Sequence, residues 1–572
     1  MKMLPSKVWS VDFEYTFDSN LNPIPICMVA REVNSGELLR IWLWGNQPAD
    51  CPLDLEGALY VAYNVSAEMS CHQAMGWKKP LHVLDLYAEF CAEKAGKTAQ
   101  RRRLLDACRC YGIATIADDE KKDMQALCIR GGPYTETEKS AILDYCQSDV
   151  DVTADLLLKM WVTIDFKNAL WRGDYGWAVA ATQRAGIPID TERHSFLTAV
   201  WDQIKAELIR AVDGGYGVFQ GQTFKGDKFA RWVQDQGITW PREENEKLCL
   251  KKRTFSDMAK QHPVVRPLHE LRKTLSGLRI ADLPIGADGR NRYSVLPFVA
   301  KTGRNQPKGK EFIFAGAKWL RFLIKPPPGH SLAYIDWNAQ EFGIAAYLSG
   351  DRNMIASYCE PDPHISFAQF AGAVPIGATK DSHPTERKAY KIANLGILMG
   401  MGVSGLTAKL GGDSYKAGKI LGEHLRVYPD YWQWSEDSVN FYLSKNTLRA
   451  RMGWPLHYGR ETKSRTARNF KLQANGAEMM RLAAIAIAAK GITINAIVHD
   501  AFLVEADTGE IKSVVESVQE SMAEASAVIS GGYPLKTEAQ IFDYPCRFLE
   551  EDGAEMWRTV NGLAANIWRR ST

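Results

Sequence analysis

Two short apolar runs decide the fold: Ser331-Leu-Ala-Tyr-Ile-Asp336, and Ile492-Thr-Ile-Asn-Ala-Ile-Val498 with His499-Asp500 and Ala501-Phe-Leu-Val-Glu505 directly behind it. Each run has the length and β-branched content of a buried strand. The first ends on a carboxylate. In the second, His499-Asp500 falls between two strand-like runs and predicts a tight hairpin turn. Either aspartate alone would pass for an ordinary turn residue. Together, two carboxylates at strand ends can converge on one point, although 500 − 336 = 164 positions separate them. Such a pair is suited to hold two Mg²⁺ ions about 4 Å apart, one activating a hydroxyl and both neutralising a transferring phosphoryl group.

Working outward, Ala339 to Leu348 reads as a helix directly behind the first strand. A second helix is predicted from Thr385, with Pro384 at a position where its missing N–H is harmless, and with Gly400-Met-Gly402 as its stop. Within it Arg387, Lys391, Leu395 and Met399 recur every four residues and share one face. That face offers two cations and then an apolar platform, which suits the phosphates and the base of a nucleotide. The bland alternative is a solvated basic stripe that runs into the core.

The chain has 572 residues, with 70 basic and 67 acidic side chains and a formal net charge of +3. Apolar residues at 46% and charged residues at 24% are ordinary globular values, which excludes disorder, collagen-like repeats and a coiled-coil rod. A charge so near neutrality does not announce a nucleic-acid binder, so any such surface must come from local basic clusters. No window approaches the roughly 20 apolar residues needed to span a bilayer, and no signal-peptide pattern opens the chain. The eleven cysteines are odd in number and singly spaced, which predicts reduced thiols and a cytoplasmic setting.

Near the N-terminus, Asp12 and Glu14 stand two apart on a predicted strand and so share a face. Tyr145 and Asp149 stand four apart on a predicted helix from Thr135 to about Met160. Between them, Asn64-Val-Ser-Ala-Glu68 follows the strand-like Leu59-Tyr-Val-Ala-Tyr63. The middle segment alternates helical patterns with Gly-rich joints. Lys247, Lys251, Lys252, Arg253, Arg266, Arg272 and Lys273 are its candidates for phosphate contact, against a solvated face. Trp201, Trp232 and Trp240 could stack on bases, but core packing is the better reading of them.

At these residues the sequence resembles the family A DNA polymerases of bacterial and phage type. Lys301-Thr-Gly-Arg304 is similar to the motif whose Arg reads the minor groove at the primer end. Asp336-Trp-Asn-Ala-Gln-Glu341 resembles motif A, which implies Asp336 as a metal ligand and Glu341 as the gate against a ribose 2′-OH. Asp362-Pro-His364 resembles the fingers segment whose His contacts the triphosphate. The Arg387 to Gly400 helix resembles motif B, and His499-Asp500 resembles motif C. Arg465, Asn469 and Gln473 match a polar series along the minor groove, where acceptors look alike in every correct pair. The N-terminal set resembles the DEDD 3′–5′ exonucleases of the same polymerases. That resemblance implies Asp12, Glu14, Glu68 and Asp149 as ligands of two divalent ions, and Tyr145 as the residue orienting the attacking water.

The resemblance implies an α/β multidomain chain: a ribonuclease H-like exonuclease domain over 1–160, polymerase entry and thumb over 161–295, and palm and fingers over 296–572, with fingers at about 350–430. It further implies primer extension with dNTPs on a DNA template, two Mg²⁺ per site with Mn²⁺ as a substitute, a monomer, and an unspecified helicase or clamp partner. Phage members are the nearer resemblance, which points to genome replication in a host cytoplasm. Departures are Leu395 where the family has an aromatic, Met399 where it has Tyr, Glu68 where Asp is usual, Ala501 in place of an acid, and Trp337 in place of Tyr. The altered nucleotide face suggests the phage subgroup that copies 2-aminoadenine. The alternatives are an exonuclease with an inactive DNA-holding polymerase half, or a non-catalytic DNA-binding protein.

Overall fold

The computed structural model describes residues 3–97, 102–115, 118–277, 280–459 and 464–571. The chain divides into two compact units. The larger is built from Met1–Ala185, Val295–Gln306 and Leu332–Ile541, and the smaller from Gly186–Ser294, Pro307–Ser331 and Phe542–Thr572.

The N-terminal part of the larger unit is a five-stranded sheet in the spatial order Leu38–Trp42, Pro23–Glu32, Val8–Phe17, Leu59–Ala62 and His82–Asp85. The first three strands pair antiparallel, and the last two continue in parallel from Val8–Phe17. Side-chain alternation separates two jobs on the central strand. Trp9, Val11 and Phe13 join Met28 and Ala30 in one apolar cluster. The opposite parity carries Asp12 and Glu14, whose cross-strand partners are Val29 and Cys27. Those two partners pack with Ile142, Cys146 and Val150 of the helix Glu136–Met160. A Thr135–Glu138 capping box starts that helix and fixes its phase.

A second sheet runs Thr493–Val498, Ala501–Asp507, His330–Trp337 and Thr537–Asp543. His499 takes a left-handed φ of 51°, which lets the chain reverse at His499-Asp500. Trp337 N–H donates to the Asp500 carbonyl at 3.2 Å, so the end of the Asp336 strand lies beside the turn. The helices Gln340–Ser349, Pro384–Leu398 and Ser464–Ala489 bury Phe342, Ala393, Ile397, Phe470 and Ala483 in one continuous core.

The smaller unit is mainly helical. Its core gathers Phe229, Trp232, Trp240, Phe255 and Leu268, which places two of the three middle-segment tryptophans in packing. Trp201 is equally buried, stacked on Trp319 at 5.9 Å. Among the described residues no helix is long and apolar enough to cross a membrane.

Candidate active site

The second sheet places Asp336 at the end of a central strand and Asp500 in the adjoining turn. Burial raises the Asp500 carboxyl to about 6, with Glu341 and then Asp336 adding repulsion and Arg304 opposing it. Glu341, Asp336 and Arg304 therefore all act on Asp500. Burial also raises Asp336, followed by repulsion from Glu538. Glu538 is a carboxylate that sequence reading missed. It lies on the neighbouring strand Thr537–Asp543 and accepts from Asn338 Nδ2 at 3.2 Å. Nothing in Thr537-Glu-Ala-Gln distinguishes it from an exposed strand position. Asp336 and Asp500 are both carboxylates, the donor type that suits a hard divalent ion.

Glu341 forms an ion pair with Arg304 at 3.0 Å. The loop carrying Arg304 is held from behind by groups that no motif reveals. Arg481 Nη1 donates to the Gly303 carbonyl at 2.7 Å, and Trp454 Nε1 donates to the Lys301 carbonyl at 3.1 Å. Gly303 has φ 71°, and a Cβ there would meet the Trp454 ring at 2.9 Å. Glu478, one turn before Arg481, accepts from the N–H groups of Met452 and Trp454 at 2.7 and 2.9 Å.

On the helix Pro384–Leu398, Arg387 Nε reaches Asp362 Oδ2 at 2.8 Å. Asp362 caps the helix Pro363–Phe370 by accepting from His364 and Ile365 N–H. Burial lowers His364 to about 4; Asp362 opposes this, while Arg387 and Lys391 reinforce it. The ring is therefore neutral at pH 7, and its proton can be placed. Trp432 Nε1 can only donate, and it reaches His424 Nδ1 at 3.0 Å. His424 Nε2 must then carry the proton shared with Asn394 Oδ1 at 3.3 Å. The Asn394 amide nitrogen consequently donates to His364 Nδ1 at 3.3 Å. This leaves the His364 proton on Nε2, available as a donor. Lys391 is exposed, and Leu395 is half-buried on the same helix.

The predicted minor-groove residues converge on the predicted nucleotide face. Arg465 Nε and Asn469 Nδ2 donate to the Met399 carbonyl at 3.1 and 2.8 Å, and Gln473 Nε2 approaches Met399 Sδ at 3.5 Å. Their spacing of four along Ser464–Ala489 makes this one stripe.

In the N-terminal sheet, Asp12, Glu14 and Asp149 each offer a carboxylate oxygen, all within 4.8 Å of one another. Burial raises Asp12 to about 7, and Asp149 pushes further in that direction. Glu14 is raised well above its ordinary value, by burial and then by Asp12. The Cys146 thiol donates to Asp12 Oδ2 at 3.4 Å. Glu68 stands outside this trio. It is buried, Asp12 is the strongest charge acting on it, and its Oε2 has no hydrogen-bond partner among the described residues. An oxygen trio beside an unsatisfied carboxylate fits a hard divalent ion. Tyr145 lies one turn before Asp149 on the same helix, with Lys121 over its ring.

Of the basic candidates in the middle segment, Lys247, Lys251, Lys252, Arg253 and Arg266 are exposed. Lys251 and Arg253 pair with Glu243 and Asp257, and Lys273 pairs with Glu270. Arg272 is different. Its guanidinium lies 4.3 and 3.9 Å from the Phe224 and Phe255 ring centres, so packing rather than phosphate contact explains it.

Comparison with known proteins agrees with this geometry. Residues 302–543 match the family model for DNA polymerase family A. Over 236 residues the chain is 26% identical to "DNA polymerase I, thermostable" of Thermus thermophilus, covering 39% of this chain and 27% of that protein. Over 210 residues it is 28% identical to the DNA polymerase of Mycobacterium phage D29, covering 36% of this chain and 34% of the phage protein. The matched stretch thus spans about a quarter to a third of these relatives. A solved structure, the POL domain of Pol1 from M. smegmatis in complex with DNA primer-template and dNTP, superposes with a TM-score of 0.73 at 18% identity. The superposition covers 94% of this chain and 95% of that one. The fold is therefore that of a solved polymerase domain.

Proposed function

We propose that this chain is a DNA-directed DNA polymerase that extends a primer 3′-OH with dNTPs on a DNA template. Palm and fingers would lie within 296–572, with entry and thumb before them. The observation that carries the reading is the convergence of Asp336 and Asp500 at adjoining strand ends, with Glu341 and Arg304 beside them. Divalent ions bound there would activate the primer hydroxyl and neutralise the transferring phosphoryl charge. The chain's own groups would do the rest. Arg387 and Lys391 would meet the phosphates, His364 Nε2–H would donate to them, and Glu341 would crowd a 2′-OH. Arg304, Arg465, Asn469 and Gln473 would feel the minor groove, with His499 at the turn. Three of these four engage Met399.

Primer extension with Mg²⁺ tests this, comparing the parent with Asp336→Ala and Asp500→Ala. Extension by the parent and its loss in both variants is expected. Absence of extension by the parent would leave an excising or merely DNA-binding chain.

A second activity, 3′–5′ excision at the N-terminal sheet, is supported by the convergence of Asp12, Glu14 and Asp149 with Tyr145 on the same helix. Excision of a mispaired 3′ end should survive Asp336→Ala and vanish in Asp12→Ala. We further read the enzyme as a phage replicative polymerase favouring 2-aminoadenine, a reading supported by Leu395 and by Met399 at the nucleotide face. Direct competition between dATP and its 2-amino analogue opposite T decides it. Equal or better insertion of dATP would end that part.

A further inference from the structure

The acidic trio is assembled with its own cation already in place. Asp12, Glu14 and Asp149 repel one another in a buried setting, and the Cys146 thiol on Asp12 offsets only part of that repulsion. Lys121, from the helix Asp118–Arg130, sets its Nζ 2.5 Å from Asp149 Oδ2. Lysine and aspartate side chains are only 16% and 10% exposed, so this is not a screened surface pair. The same ammonium lies 5.4 Å from the Tyr145 ring centre. The next residue, Lys122, is 70% exposed and pairs with Asp119, so of the two lysines it is Lys121 that is turned into the cluster.

A divalent ion on Asp149 would need a carboxylate oxygen at about 2.0–2.6 Å. That shell overlaps the place the ammonium fills, and two cations so close in a buried site repel strongly. We propose that Lys121 is a built-in counter-cation that competes with divalent ions for Asp149, so the N-terminal site loads metal only as this ammonium is displaced. The proposal rests on the excision reading, under which the trio is a metal site. It adds that the affinity of the site, and hence the balance between extension and excision at limiting metal, is set by a lysine that is not a ligand.

Mn²⁺ binding to the full chain tests it, read by the electron paramagnetic resonance of free ion. The background carries Asp336→Asn and Asp500→Asn, so that the N-terminal site is the one counted. Lys121→Met should bind Mn²⁺ about tenfold more tightly, the scale typical of groups that act through a ligand. Lys121→Arg, which keeps the charge, should stay at the weak parental affinity. Adding Asp12→Asn to Lys121→Met should abolish the gain and so assign the ion to the trio. Without metal, Lys121→Met should melt below the parent, and Mn²⁺ should restore more of its melting temperature than it adds to the parent. A purely structural lysine would give a deficit that Mn²⁺ leaves unchanged. Mn²⁺ binding by Lys121→Met that equals or falls below the parent's overturns the proposal. If the Asp336 and Asp500 parent meanwhile excises mispaired primers, the excision reading survives that failure. If no variant binds Mn²⁺ in an Asp12-dependent way, both fall.

Discussion

Replacing Arg481 with Met should destabilise the larger unit by an amount that grows with pH. Arg481 is 1% exposed and anchors the Gly303 carbonyl through Nη1. Its Nε and Nη2 have no hydrogen-bond partner among the described residues, and the guanidinium lies 4.9 and 5.7 Å from the Phe298 and Trp454 ring centres. Met preserves most of the stem volume, so the loss at low pH is one hydrogen bond and ring contact, about 1–3 kcal/mol. The pH-dependent part comes from Glu478. Burial raises this carboxyl from 4.5 to about 7, while Arg481 pulls it back. A carboxyl with a folded pKa above its unfolded value holds more proton folded than unfolded between those two values. Stability therefore falls as pH rises through that window, by about 3 kcal/mol in the parent at 1.36 kcal/mol per pH unit. Without Arg481 the folded pKa climbs further and the window extends above pH 7. The difference in melting temperature between parent and variant should thus be smallest at pH 5.5, where only the lost contacts count, and widen through pH 7 to 8.5, measured by calorimetry. Adding Glu478→Gln should flatten it. A deficit that is constant or shrinks with rising pH would refute the coupling. Primer extension should fall alongside, because the loop of Arg304 loses its backing.

Three further outcomes are expected. Glu341→Ala should raise ribonucleotide incorporation relative to deoxynucleotide in single-nucleotide extension, and it should free Arg304 from its 3.0 Å partner. Asn394→Leu keeps the volume but leaves the His424 Nε2–H without its acceptor, costing about 1–3 kcal/mol of stability. The same change should raise the dNTP KM several-fold without changing DNA affinity, and an unchanged KM in the folded variant would mean that the Trp432–His424–Asn394 chain does not position His364. Gly303→Ala forces an L side chain onto φ 71° and against Trp454, so it should lower the melting temperature by an amount worth about 1–3 kcal/mol.

Much of the fold was legible because strand and helix periods are local. Asp12 and Glu14 share parity on a strand, Tyr145 and Asp149 share a helical face, and two apolar runs end on Asp336 and Asp500. Periodicity also places Arg465, Asn469 and Gln473 in one row. The residues it could not find are those whose partners are remote in the chain. Glu538 acts on Asp336 across a strand pair about 200 positions later, and Arg481 reaches Gly303 across 178 positions. Lys121 looks no different from Lys122 in a charged helix until the tertiary packing turns one inward. Arg272 failed in the opposite direction. It sits in a basic run, but its neighbours in space are Phe224 and Phe255, and a guanidinium packs on rings as readily as it meets phosphate.

The two carboxylate clusters meet the same difficulty by different means. Gathering acids before any ion arrives raises their pKa values, as at Asp12 and Asp500, and each unfavourable charge costs stability near neutral pH. In each cluster one basic side chain offsets part of that cost. At the second sheet it is Arg304, whose ion pair among the described residues is with Glu341 rather than with Asp336 or Asp500. At the N-terminal sheet it is Lys121, which sits directly on Asp149, a member of the converging trio. Under the metal-site readings proposed above, relief placed on a neighbour would leave the carboxylates of Asp336 and Asp500 free to take ions, whereas relief placed on Asp149 would have to be undone before that carboxylate could serve. The two sites should therefore fill in order as divalent ion is added, the one around Asp500 first. Titrating Mn²⁺ against the parent and against Lys121→Met separates that order from an intrinsic difference in donor number, because removing the lysine should bring the two affinities together only if the order comes from the lysine.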